Sequence, residues 1–377
     1  MSFLVDVNPA VLGWARGSAG YSVPDAAKRL GVSEKTLEEW ETGQLRPTWS
    51  GLCGLAKLYS RPLASLLLAS PPQDAPGPAD YRRLPDAKKE LSPKARLVIR
   101  TARWLARTAS ELESQLGIDT LPGVPSISLS DDPERIAQDF RARLDIAITE
   151  QTSWTTYHQA LRQWRARIEA QHVFVFQFRM PLKEVRGFSL IEQQRPVIVL
   201  NQADAVSARI FTLCHEYAHL VIANPGVCLP EHSLLAESHL VEAFCNHLAA
   251  ALLIPRADLE QRLPSVARDK AIAQLARRYR VSRYVVLGRM YTLRAISRET
   301  YQQITRRWQT GEQPPPARAT KHTGGPGRAE RCLNQRGRLF VSLVMQAAKS
   351  EHIAANDATG YLGVHLNDLR KLALKVR

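Results

Sequence analysis

FTLCHEYAHLVIANPG, Phe211 to Gly226, sets two histidines four residues apart, with a glutamate after the first, inside an otherwise apolar run. No proline or glycine interrupts Ala205 to Ala223, and Asn224-Pro225-Gly226 supplies a stop. The stretch therefore predicts a helix with HEYAH in its middle. At the helical repeat His215 and His219 share one face a single turn apart, a spacing that lets two imidazoles reach one ion. Glu216 is rotated by about 100° from His215, near such an ion but poorly placed to ligate it beside both histidines. That position suits a base acting on water. The competing reading is a buried helix that carries three polar side chains by chance. Phe211, Leu213, Leu220, Val221 and Ile222 predict burial, and burying those polar groups without partners costs on the order of several kcal/mol. A metal is the simplest partner.

A zinc peptidase also needs a third protein ligand and an open fourth position. HLVEAFCNHLAAALLIP, His239 to Pro255, predicts a second helix in which Glu242 and Asn246 share a face. Glu237, His239, His247 and Cys228 are also within reach, and chemistry alone does not choose among them. Upstream, HVFVFQFRM, GFSLIEQ and PVIVLNQ are rich in β-branched and aromatic residues and bounded by Pro181, Gly187 and Pro196. They read as strands of a small sheet, preceded by helices from Pro133 to about Leu144 and from Tyr157 to Ala170.

GFSLIEQQRPVIVLNQADAVSARIFTLCHEYAHLVI followed by EAFCNHLAAALLIP resembles the ImmA/IrrE family of zinc metallo-endopeptidases, whose pattern is FTLxHExxH and then ExxANxFAxxLLxP. The similarity spans roughly residues 130 to 300. It implies an α+β, mostly α, zincin-like domain with a small β-sheet. It also implies Zn2+ held by His215, His219 and Glu242, Glu216 as the catalytic base, and Asn246 steadying the Glu242 carboxylate. Two positions depart from the pattern: Cys245 stands in place of Ala and Leu248 in place of Phe. Both are packing-sized changes that remove no ligand. Tyr217, His239 and His247 are candidates for stabilising an oxyanion, with none singled out.

VPDAAKRLGVSEKTLEEWETGQLRP, Val23 to Pro47, has helix-turn-helix spacing. Small Ala27 permits close approach, Gly31 supplies the turn, Val32, Leu37 and Trp40 face inward, and Ser33 caps the second helix. Residues 12 to 69 resemble the phage-repressor, XRE-like DNA-binding domain. The face offered to DNA or to a partner would carry Ser33, Glu34, Lys35, Glu38 and Glu39. Three carboxylates near phosphates repel, although a glutamate can accept from cytosine N4. Gripping a protein partner or forming a homodimer therefore weighs equally with DNA binding. The same spacing returns in IAQLARRYRVSRYVVLGRM, with Arg280 in the glycine position, and in DATGYLGVHLNDLRKL, with Gly363 there. Arg277, Arg278 and Arg283 make the second copy the better electrostatic candidate for nucleic acid. The alternative is that these arginines pair with acidic residues of the preceding domains.

Charge is unevenly placed. Between Arg256 and Arg377 there are 24 Lys and Arg against 9 Asp and Glu, which leaves 27 of each in the first 255 residues. The five cysteines lack CxxC spacing, which argues for reduced thiols. No leader peptide or membrane span is expected, which suggests a cytoplasmic protein. The Pro/Gly-rich breaks predict a helix-turn-helix domain (1–69), a linker and helical connector (70–128), a peptidase domain (129–265) and a helical extension (266–309). A linker (310–328) and a basic C-terminal helical segment (329–377) would follow. Together these features suggest an intracellular zinc endopeptidase coupled to a helix-turn-helix regulator. The resemblance implies cleavage of a helix-turn-helix repressor in stress-response, mobile-element or toxin-antitoxin control. The alternative is a DNA-binding regulator or antitoxin-like protein whose metal domain is a sensor or scaffold.

Overall fold

The computed structural model describes residues 3–72, 91–118, 124–222, 227–228, 240–263, 268–310 and 327–376. It falls into two compact units that divide at Thr101 and Ala102. The first holds α1 (Pro9–Ala19), α2 (Val23–Leu30), α3 (Glu34–Thr42), α4 (Trp49–Leu58) and the opening turns of α5 (Pro93–Gln115). Asn8, Ser22, Ser33 and Thr48 each cap the following helix by accepting a backbone N–H, which satisfies donors that a helix start leaves without partners. Leu12, Ala15, Ala27, Leu37, Leu52 and Leu55 form the core. The expected turn is present. Gly31 sits at φ 73°, Val32 N donates to Ala27 O at 3.1 Å, and Ser33 accepts from Thr36 N at 3.0 Å. On α3, Glu34, Lys35 and Glu38 are exposed, while Glu39 is half-buried and faces Lys35.

The second unit begins with the rest of α5 and continues through α6 (Pro133–Arg143), α7 (Ile148–Ser153) and α8 (Tyr157–Glu169) into the sheet. Strands β1 (Phe174–Phe178), β2 (Gly187–Glu192) and β3 (Arg195–Asn201) precede α9 (Val206–Val221), and β4 (Val227–Cys228) completes the order β1-β3-β2-β4. β1 runs parallel to β3, whereas β2 is antiparallel to both β3 and β4. The three expected strands are present, and the two-residue β4 adds a fourth. Pro196 lies inside β3 instead of bounding it. The register with β1 starts one residue later, at Phe174↔Val197, so the missing proline N–H falls outside that ladder. β1 is apolar on both faces because both are covered. Val173 and Val175 enter the main core, while Phe174 and Phe176 stack and meet Phe340 edge-on.

Beyond the sheet come α10 (Leu240–Leu253), α11 (Arg256–Glu260), α12 (Asp269–Tyr279), α13 (Arg283–Thr292) and α14 (Arg298–Gln309). One continuous core runs from Ile136 to Trp308, so the boundary expected between residues 265 and 266 falls inside it. The end of α10 is held firmly. Arg141, Gln151 and Arg289 donate to the Leu252, Leu253 and Ile254 carbonyls at 2.7, 2.9 and 3.0 Å, which a helix C-terminus would otherwise leave without donors.

The last helices are α15 (Arg328–Arg336), α16 (Arg338–Lys349), α17 (Ala355–Leu362) and α18 (Leu366–Val376). They dock on α8 and β1 through a buried pair. Arg165 binds Glu169 at 2.9 Å and reaches Asn334 O at 2.6 Å, while Glu169 accepts from Arg338 N at 3.1 Å at the start of α16. Gly337, at φ 83°, makes this approach possible, because a Cβ there would meet Glu169, Arg165 Nη2 at 2.7 Å and Val175 O at 2.9 Å. Gly337→Ala is expected to cost about 2–5 kcal/mol through strain and overpacking. Urea unfolding, together with earlier proteolysis of the C-terminal helices, would show it. Among the described residues no helix is long and apolar enough to cross a membrane.

Candidate metal centre

α9 is amphipathic only in a limited sense. Ile210, Leu213, Tyr217, Leu220 and Val221 pack into the core, and the HEYAH residues beside them are also buried. HEYAH occupies the second half of the helix, nearer its end than the expected middle. The proposed stop at Asn224-Pro225-Gly226 lies outside the described residues. α10 packs along α9 and brings Glu242, in its first turn, to the two histidines.

His215 Nε2 and His219 Nε2 are 3.1 Å apart. Glu242 spans them, Oε2 lying 3.5 Å from His215 and Oε1 3.3 Å from His219. Four ligands arranged tetrahedrally at zinc distances of about 2.0–2.1 Å have neighbouring donor atoms about 3.3–3.4 Å apart. The three separations observed here bracket that value. With each side chain at most 3 % exposed, the donor set fits a divalent metal, and the chemistry of two imidazoles and one carboxylate suits zinc. Electrostatics agree. Burial alone would raise the Glu242 carboxyl, but hydrogen bonds and charge from His215 and His219 hold it far below the usual carboxylate range. Burial would likewise lower His219, yet its hydrogen bonds to Cys245 and Glu242 carry it well above the ordinary imidazole value. The pocket thus already concentrates negative potential where a cation would sit.

Glu216 is fully buried and acts electrostatically on His219 and Cys245. Gly187, at the start of β2, allows the strand to pass close under it. A Cβ there would meet Thr212 Cγ2 at 2.5 Å and Val199 O at 2.9 Å, and would lie 3.8 Å from Glu216 Cγ. The sequence signal for this role was a glycine opening an aromatic strand, read above only as a boundary. Asn246 lies one turn past Glu242 and is buried.

Residues 168–291 match the peptidase family model described as the IrrE N-terminal-like domain. The chain carries an IrrE N-terminal-like domain. That family is one of metallopeptidases, and its match takes in α12 and all but the last residue of α13 as well as the two site helices. Residues 10–67 match a helix-turn-helix domain, so the IrrE-like domain follows a DNA-binding type of domain along the chain. No curated protein matches the chain.

The remaining expected residues fall elsewhere. His247 is turned to Glu134, 2.7 Å away, and Tyr217 packs edge-on against Phe140 in the core. Glu237 and His239 lie outside the described residues, and of Cys228 only the strand backbone is described. In the second helix-turn-helix copy Arg277 is exposed and Arg283 half-buried. Arg278 binds Asp258 at 3.1 Å, Arg280 donates to Trp154 O at 2.6 Å, and Arg289 is buried against Glu134. Of the three arginines expected to face nucleic acid, Arg278 is paired with Asp258, and α13, the helix that would read a groove, is buried from Val285 to Met290 inside the IrrE-like domain.

Proposed function

We propose that the chain is a zinc-dependent endopeptidase that cleaves a partner transcriptional repressor in the cytoplasm. In this reading the helix-turn-helix domain recruits that partner or carries the peptidase to its operator. The single observation that supports it best is the buried His215, His219 and Glu242 triangle, with donor separations matching a tetrahedral zinc edge. Zn2+ held there would supply Lewis-acid chemistry to a peptide carbonyl and its attacking water. Glu216, next to the histidines on α9, takes the proton of that water on a carboxylate oxygen and passes it to the departing amine. Buried walls exclude bulk solvent and keep these charges strongly coupled. Asn246, one turn beyond Glu242 on α10, steadies that carboxylate.

The acidic face of α3 supports recruitment of a protein over direct base reading, since the exposed Glu34 and Glu38 would repel approaching phosphates. The test uses the purified, zinc-loaded full chain and the helix-turn-helix proteins encoded beside its gene. Mass spectrometry is expected to find one discrete cleavage in one of them, lost on chelation and restored by zinc. No stoichiometric metal, or cleavage indifferent to the chelator, would overturn the reading.

A further inference from the structure

Three helix pairs in this chain share one backbone solution. α2–α3 turns at Gly31, α12–α13 at Arg280 and α17–α18 at Gly363, with φ values of 73°, 57° and 65°. In each, the amide one residue past the turn donates back into the preceding helix: Val32 to Ala27, Val281 to Ala276 and Val364 to Thr359, at 3.0–3.2 Å. Counted from the turn residue, the first and third pairs can therefore be aligned position by position. Leu37 and Trp40, buried on α3, correspond to Leu369 and Leu372, buried on α18. Two of the outward positions then reverse sign, Glu38 and Glu39 against Arg370 and Lys371. Glu34, Lys35, Glu38 and Glu39 of the first pair correspond to Leu366, Asn367, Arg370 and Lys371 of the third.

The second pair is buried in the IrrE-like domain and the first presents carboxylates. The third presents Leu366, Asn367, Arg370, Lys371 and Lys375, all exposed. α18 is held from behind by α15 and α16, as a reading helix is held by its scaffold. Asp357 is engaged in capping α17 by accepting from Ala354 N, and on α18 the half-buried Asp368 is outnumbered by three exposed cations, Arg370, Lys371 and Lys375, so the helix keeps a net positive charge.

The geometry points to α17–α18 as a duplex-DNA-binding element, with α18 entering the major groove. Asn367 and Arg370 offer the amide and guanidinium that pair two-fold with adenine and guanine edges. Leu366 is placed to meet a thymine methyl, and Lys371 and Lys375 are placed against phosphates. Charge complementarity commits the face to a polyanion, and the helix-turn-helix frame commits it to a duplex.

Fluorescence anisotropy of the full chain on a labelled 30-base-pair duplex (about three helical turns) would test this. Binding is expected to weaken linearly in log–log salt plots. Arg370→Glu with Lys371→Glu is expected to weaken it by about 10–100-fold near 0.1 M salt and to shallow the slope by about one, for the lost Lys371–phosphate contact. Thermal melting should be unchanged, and Arg277→Glu on α12 should bind like the parent. Should the charge-reversed pair unfold, Arg370→Ala with Lys371→Ala reads the same slope. A parent chain that does not bind duplex, or variants that keep its affinity and slope, would overturn the proposal. Either result leaves the peptidase reading untouched, because none of these residues belongs to the metal site.

Discussion

Glu216→Gln is expected to retain one zinc per chain while losing about 10²–10⁴-fold in cleavage rate, the span typical of a missing general base. His219→Ala is expected to lose the metal and the activity together. The two variants separate because of where α9 puts their side chains. His219 Nε2 is one corner of a donor triangle with sides of 3.1, 3.3 and 3.5 Å. Glu216 is not part of that triangle and acts on His219 through its charge. Removing a corner leaves two donors, too few for tight zinc binding. Zinc at about 100 times its dissociation constant stabilises a folded site by about 2.7 kcal/mol, or about 5–10 °C in a domain of this size. That rise should appear in the parent and in Glu216→Gln and be absent in His219→Ala. Metal analysis, thermal melting with and without zinc, and cleavage of the identified partner give three independent readings. A Glu216→Gln protein that cleaves at the parent rate would remove the assigned base.

Local signals carried much of this architecture. Gly31, Ser33, Leu37 and Trp40 specify a turn, a cap and a buried face within ten residues, and each holds its expected place. HEYAH and Glu242 were also legible, because helical spacing places histidines and the family pattern names their partner. What was not legible depends on contacts between distant residues. α12–α13 carries the same local signature as α2–α3, so spacing alone could not say that its second helix lies in a core. That outcome rests on Arg289 meeting Glu134 across 155 residues, a pairing no periodicity encodes. The short α7 and α11 were missed because five or six residues hold too little of a helical period. β4 exists only as the edge partner of Gly187 and Phe188. The role of Gly337 depends likewise on the Arg165–Glu169 pair beneath it, which lies far away along the chain.

The Glu134–Arg289 pair is where a single substitution is expected to cost the most stability. Arg289 is 0 % exposed and donates to both Glu134 oxygens, with Nη2 at 2.7 Å, while its Nε holds Ile254 O at the end of α10. His247, on the same helix as Glu242, donates to Glu134 Oε1 as well. Arg289→Leu would leave a half-buried carboxylate without its main partner and an undonated helix end, at about 3–5 kcal/mol. Acid gives a second reading. Burial alone would raise the Glu134 carboxyl, but hydrogen bonds from Arg289 and His247 hold it at about 2, against an ordinary 4.5. A folded-state value below the unfolded one stabilises the fold above pH 4.5, and that contribution of about 3 kcal/mol is lost as pH falls through 2. In Arg289→Leu burial faces weaker opposition, so the variant should lose less stability than the parent between pH 5 and 2. Adding Glu134→Leu should restore part of the deficit at pH 7, since replacing both partners removes the stranded charge. Urea unfolding of the four proteins at pH 7, 4.5 and 3 gives the complete cycle. Equal midpoints at pH 7 with equal acid slopes would make the pair a spectator. Zinc provides the link back to the site. Because α10 carries both His247 and Glu242, a frayed α10 should weaken metal binding, and excess zinc should recover part of what Arg289→Leu loses.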